Sequence, residues 1–82
     1  MKAKEITVRL KEGLSSQSAC FFIQKANEFA SEILVEYQDK KVNAKSLLGV
    51  LSLGIAPNTA VRLEVNGKDE AEALAALEEF LG

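Results

Sequence analysis

Chemistry in this chain has to come from hydroxyls, carboxylates and amines, because it contains no histidine and a single cysteine. Histidine is the side chain that exchanges protons near neutral pH and the commonest metal ligand, so acid/base and metal chemistry lose their usual participant. Cys20 stands beside Phe21 with no second cysteine to make a CxxC pair, and reads as an inert helix residue rather than a redox centre or zinc ligand. Asp39, Glu64 and Asp69 are scattered and make no paired-carboxylate motif. No G-x-x-x-x-G-K-[ST] string is present, which excludes that phosphate loop. These readings predict no catalytic set, no metal site and no cofactor. What remains is serines where helices begin: Ser15 and Ser16 before one periodic apolar run, Ser46 before another. Serine at such a position caps a helix by accepting a backbone N–H bond. The same place suits a phosphate, since it offers unpaired N–H groups and the positive end of the helix dipole. A phosphoserine there carries about −1.5 to −2 charges, and Lys45 and Lys41 are expected to add positive charge beside Ser46.

These serines need a small, single scaffold. The 82 residues are expected to form one domain, 1–82, with no linker, repeat or low-complexity tract. The chain is 48% hydrophobic and 27% charged, which is too apolar for disorder. Its net charge of −2 argues against gripping nucleic acid, and one Tyr, four Phe and no Trp make a base-stacking platform an implausible design. No run approaches the ~18 apolar residues of a membrane span, and Met1-Lys2-Ala3-Lys4-Glu5 leads into alternating sequence rather than a signal peptide. A cytoplasmic protein is expected.

Ile6, Val8 and Leu10 alternate with polar residues over 4–10 and predict a strand. Gly13 marks a bend, and Ala19, Phe22, Ile23, Ala26 and Ala30 predict a helix. Phe21, Phe22 and Phe29 are assigned to core or edge packing. Residues 32–37 and 41–43 read as a hairpin of open register, 46–53 as a short helix stopped at Gly54, and Val61, Leu63 and Val65 as a fourth strand. Asn66-Gly67 is a turn. Asp69 with Glu72 predicts a capping-box start to a last helix carrying Leu74, Leu77 and Leu81 on its buried stripe. Its other acids, Glu78 and Glu79, sit where the dipole disfavours them. The order βαββαβα predicts an α+β fold, a four-stranded antiparallel sheet with three helices on one face.

At this level of detail the chain resembles the histidine-containing phosphocarrier protein (HPr) family of the bacterial sugar phosphotransferase system. The strongest match is Lys41-Val42-Asn43-Ala44-Lys45-Ser46-Leu47-Leu48-Gly49-Val50-Leu51-Ser52-Leu53, similar to the family's regulatory-serine segment, supported by Val8-Arg9-Leu10, Gly13-Leu14 and Glu70-Ala71-Glu72-Ala73-Leu74. The resemblance covers essentially the whole chain and implies the HPr-like open-faced β-sandwich. In the family, Gly-Leu is followed by His-Ala-Arg-Pro-Ala, whose histidine carries phosphate between two enzymes. Here the string is Gly13-Leu14-Ser15-Ser16-Gln17-Ser18-Ala19. Ser15 takes the histidine's place, and its phosphoester would lack the labile N–P bond of a good donor. Gln17 replaces an arginine and loses the charged bidentate grip on phosphate.

The resemblance therefore implies a non-catalytic, regulatory relative, closer to the HPr-like proteins of catabolite repression. It implies Ser46 as the target of an HPr-type serine kinase and a catabolite-control repressor as partner. Ser15, Gln17, Cys20, Leu47, Leu48 and Leu51 are its partner-binding residues, with Cys20 and the three leucines as an apolar patch. For Leu51, core packing and patch stand level. A monomer is expected, with a dimer as the alternative. Two other functions stay open: residual phosphotransfer through Ser15, and binding that ignores phosphorylation altogether.

Overall fold

A computed structural model describes all residues 1–82. The elements are β1 (Lys2–Val8), α1 (Ser16–Ala26), β2 (Glu32–Tyr37), β3 (Lys40–Asn43), α2 (Leu47–Ser52), β4 (Thr59–Asn66) and α3 (Glu70–Leu81). The four strands form one antiparallel sheet in the order β1-β4-β2-β3, so the first and last strands in space are edges and β4 sits inside. The predicted α+β architecture is the one observed. No helix is long and apolar enough to cross a membrane.

Period-two alternation sets the register. Ile6 lies opposite Val61, and Val35 opposite Leu63, so one face of the sheet is apolar along its length. That face is covered by Ala19, Phe22 and Ala26 of α1, Val50 of α2, and Ala73, Leu77 and Leu81 of α3, all fully buried. The predicted stripe of α3 holds, with Leu74 half-buried and Ala73 taking a core place. The hairpin register left open by the sequence is fixed by Gln38 and Asp39, whose φ angles of 50° and 65° close a two-residue turn between the paired residues Tyr37 and Lys40.

Several expectations are corrected. The first strand covers 2–8 rather than 4–10; beyond Val8 the Arg9 N–H turns to the Leu81 carbonyl at 2.7 Å. The first helix stops at Ala26 instead of reaching Ala30: after Asn27 the bonding tightens, with the Glu28 N–H on the Lys25 carbonyl at 3.1 Å and the Phe29 N–H on the Ala26 carbonyl at 3.3 Å. Ala30 is exposed. Asp69 does not form a capping box with Glu72. Its carboxylate leaves the helix and accepts the N–H groups of Ala30 (2.8 Å) and Ser31 (2.9 Å) together with the Ser31 hydroxyl. The reach-back bond comes instead from Glu70, whose Oε1 accepts the Gly67 N–H at 3.1 Å. Nor is Glu78 left to oppose the dipole, since Lys4 pairs with it at 2.6 Å.

The Asp69 junction ties the loop after α1 to the loop before α3. Gly67 is pressed against Ser31 so closely that a Cβ there would fall 2.5 Å from Ser31 Oγ and 2.6 Å from its Cα. The Ser31 hydroxyl and the Ala30 amide hold the Asp69 carboxyl below its ordinary value, and the Gly67 amide with the N-terminal ammonium does the same for Glu70. A carboxyl whose folded pKa is depressed adds stability above its unfolded pKa, and that contribution disappears as pH falls through the folded value. Denaturant titrations are therefore expected to show a steep loss of stability below about pH 4, the ordinary carboxyl range. Asp69→Asn is expected to be less stable at neutral pH and to show a flatter acid limb. An acid limb identical to that of the unchanged protein would refute this role for Asp69.

Candidate functional site

The start of α1 is fixed by its neighbours on both sides. Gly13 has φ +66°, and a Cβ on it would lie 2.2 Å from the Ile55 carbonyl oxygen, so only glycine fits there without displacing backbone. Leu14 then donates its N–H to the same Ile55 carbonyl at 2.9 Å. Ser15 is the extended N-cap residue. Its N–H is accepted by Ser18 Oγ at 3.0 Å, while the Ser18 hydroxyl proton reaches the Gly13 carbonyl at 2.6 Å and the Ser15 hydroxyl donates to Glu12 at 3.2 Å. Both hydroxyls thus close the helix end on the chain's own backbone. Gln17 is exposed, and its side chain makes no hydrogen bond within the chain.

Ser46 begins α2 in the predicted way. Its backbone is extended, its side chain accepts the Gly49 N–H at 3.2 Å, and its own N–H is held by Asn43 at 3.0 Å. Asn43 Oδ1 also accepts the Lys45 N–H at 2.8 Å, a local side-chain turn that sets the approach to the helix. Gly49 leaves room around the hydroxyl, because a Cβ there would lie 3.3 Å from both Ser46 Oγ and Val42 Cβ. The hydroxyl is half-buried.

The two lysines expected near Ser46 each have a partner of their own. Lys45 Nζ donates to the Phe29 carbonyl at 2.7 Å, across the loop that follows α1. Lys41 Nζ pairs with Glu64 at 3.2 Å, and Arg62 bonds the same carboxylate at 3.2 Å. These two cations hold Glu64 below its ordinary value. Neither ammonium makes a direct bond to the Ser46 hydroxyl.

Leu47 and Leu48 are exposed at 40% and 81%, and Cys20 is exposed on the helix packed beside them. Leu51 is half-buried and packs against the core, so it belongs to both readings. The sequence reading missed Phe21, which it had placed in packing and which is half exposed. The signal was in the helical phase: Ala19, Phe22, Ile23 and Ala26 define the inward stripe, and Phe21 is off it by one residue. Phe22 is buried and Phe29 half-buried, as assigned. A cavity of about 410 Å³, lined by Lys25, Ala76, Glu79 and Phe80, lies between α1 and α3 and away from both serines. Ser15 and Ser46 stand on an open surface, suited to contact with another macromolecule rather than to enclosing a small substrate.

This sheet, its three covering helices and a capped serine opening the second of them define an HPr-type domain. The chain matches the family described as PTS HPr component phosphorylation site over residues 2–82, and it belongs to the HPr family. It is 46% identical to the HPr-like protein Crh of Halalkalibacterium halodurans, over 99% of this chain and 96% of that one. Among solved structures it is similar to the phosphocarrier protein HPr of Bacillus anthracis, with TM-score 0.97 and 38% identity over 99% of this chain and 96% of the other. It is also similar to Crh of Bacillus subtilis, solved as a dimer with a swapped domain, with TM-score 0.79 and 43% identity over 99% and 93% of the two chains. Proteins of this family are phosphocarriers or regulators rather than catalysts.

The geometry of Ser46 gives a direct stability test. Ser46→Ala removes the acceptor of the Gly49 N–H, and loss of an N-cap costs about 1 kcal/mol (roughly 0.5–2). A urea unfolding midpoint unchanged in Ser46→Ala would show that the cap contributes nothing.

Proposed function

We propose that this protein is a regulatory member of the HPr family in carbon catabolite control, acting by docking to other proteins, with Ser46 as its phosphorylation site. The observation that carries the reading is the placement of Ser46: a half-buried hydroxyl at the first turn of α2, followed at once by the exposed Leu47 and Leu48. In the modification, Ser46 Oγ attacks the γ-phosphorus of ATP, ADP leaves, and the hydroxyl proton is released. The product adds acceptor oxygens at α2's free N–H groups and a charge of about −2 beside an apolar surface. An HPr-type serine kinase and a repressor of catabolic genes are the proposed partners, and the likeness to the Crh proteins supports this assignment. Ser15, Gln17, Cys20, Leu47, Leu48 and Leu51, joined by Phe21, make the proposed contact surface.

Phosphocarrier activity is not part of this reading. Serine at 15 offers an O–P ester in place of an N–P bond, and its hydroxyl is bonded to Glu12. A second reading, docking that is indifferent to phosphorylation, is favoured by one observation: Lys45 and Lys41 are committed to Phe29 and Glu64 and offer no prepared cationic cradle at Ser46.

Incubation with an HPr-type serine kinase and ATP is expected to add one phosphoryl group by intact mass, and Ser46→Ala to prevent it. Phosphoenolpyruvate with the general phosphotransferase enzyme is expected to leave the protein unlabelled. Absence of kinase-dependent phosphate on the folded protein would discard Ser46 as a switch and leave the phosphorylation-independent reading. Label from phosphoenolpyruvate that disappears in Ser15→Ala would restore the carrier.

A further inference from the structure

Asn66 and Gly67 lead from β4 into α3, and the pair carries a chemistry that the docking surface does not use. Of the chain's four asparagines, only Asn66 precedes a glycine. A glycine nitrogen has no side chain beside it to hinder attack on the neighbouring side-chain amide. The fold demands that glycine, because a Cβ at 67 would fall 2.5 Å from Ser31 Oγ. Asn66 itself stands exposed at the end of β4, opposite Glu32, and its side-chain amide makes no hydrogen bond within the chain. The Gly67 N–H, by contrast, is occupied. Glu70 Oε1 accepts it at 3.1 Å, and the Gly67 carbonyl accepts the Glu70 N–H at 3.2 Å. The Met1 ammonium holds the same carboxylate at 3.2 Å.

We propose that Asn66 is a site of covalent modification, its amide converting to aspartate and isoaspartate, and that Glu70 keeps this site closed in the folded chain. In the reaction the Gly67 nitrogen bonds to Asn66 Cγ, the Cγ–Nδ2 bond breaks, and ammonia leaves with the proton that Gly67 gives up. Water then opens the cyclic imide. Attack at Cγ leaves aspartate, and attack at the main-chain carbonyl leaves isoaspartate. Water is the only co-reactant, and nothing is oxidised or reduced. The proton that must depart is the one on Glu70, and an ionised acceptor strengthens its hold. The contact with Ser31 denies Gly67 the room to swing its nitrogen onto Cγ. Ring closure therefore waits on a local opening of the turn. Either product then alters that turn. Aspartate sets a carboxylate opposite Glu32, where like charges across a strand pair are unfavourable. Isoaspartate adds a carbon to the main chain just before a glycine that has no slack against Ser31. The Asp69 junction, which holds the end of α1, takes up that strain.

Incubation of the full chain at mildly alkaline pH tests both parts, read by peptide mass mapping and by enzymatic methylation of isoaspartate. In denaturing urea, Asn66 is expected to react ahead of Asn27, Asn43 and Asn58, and about tenfold or more faster than in native buffer. Glu70→Ala is expected to speed the native reaction severalfold. Glu70→Gln, which keeps an acceptor oxygen for the Gly67 N–H, is expected to stay slow. Val50→Ala loosens the core far from the turn and is expected to leave the rate at Asn66 unchanged, separating a lock on Gly67 from general destabilisation. An Asn66 that stays intact in urea overturns the site, and a native chain that reacts as fast as the unfolded one overturns its closure by the fold. The role of Glu70 falls if Glu70→Ala reacts no faster than the parent, or if Glu70→Gln or Val50→Ala matches it.

Discussion

The arrangement of this protein's working surface depends on the approach of Gly13 and Leu14 to the Ile55 carbonyl. One hydrogen bond of 2.9 Å and a backbone position that admits no Cβ bring the entry to α1 against the segment that follows α2. At the far end of α1, the Asp69 carboxylate holds Ala30 and Ser31, and Lys45 holds Phe29. Between those anchors the helix buries Ala19, Phe22 and Ala26. Apolar burial is non-directional and would tolerate some rotation or sliding of the helix. The polar contacts at its two ends are directional, and they fix which residues face solvent. Cys20 and Phe21 lie off the buried stripe of Ala19, Phe22 and Ala26, and the tethers at both ends hold the helix in that phase.

The same tethers bear on the chemistry at the start of α1. A helix N-terminus with open N–H groups is a natural seat for an anion. In this chain Ser18 takes up the Ser15 N–H and returns its own proton to Gly13, while Ser15 donates to Glu12. The Ser15 N–H and both hydroxyls already have partners within the chain. An incoming phosphoryl group would have to displace these bonds, and would meet the neutral amide of Gln17 where an arginine would have supplied two charged donors. The occupied start of α1 and the exposed Leu47 and Leu48 beside Ser46 both support recognition as the role of the domain.

Much of this was legible in the sequence, for identifiable reasons. Alternation in β1 and β4 has a period that survives any packing detail, so those strands and their inward residues could be read from the pattern, while β2 was legible as a β-branched apolar run. Ser46 was legible because a cap is a local device, and Leu47 and Leu48 because a six-residue helix has room for few inward side chains. What was not legible depends on contacts between distant segments. Asp69 looked like a cap for its own helix; its true partners are 38 and 39 positions away. Lys45 looked like a neighbour of Ser46, yet its long side chain reaches Phe29. Ala30 fitted the helical period, but its N–H is taken by the distant Asp69 carboxylate instead of a helical carbonyl. In each case local spacing proposed one partner and a tertiary contact supplied another.

The commitment of Lys45 and Lys41 decides how a phosphate at Ser46 would act. Where nearby ammonium groups are free, a new phosphate folds inward onto them and rearranges the chain. Here one ammonium anchors the loop after α1 and the other shares Glu64 with Arg62 across the sheet. Drawing either away would cost the contact it already makes. A phosphate at this position would accordingly add its charge beside the exposed Leu47 and Leu48. The unmodified face offers apolar contact alone, whereas the modified face would add one strong, localised anion to it. A partner with an exposed arginine beside an apolar patch distinguishes those two states by a charge-assisted bond that only one of them can form. The protein itself need not change shape for the signal to be read.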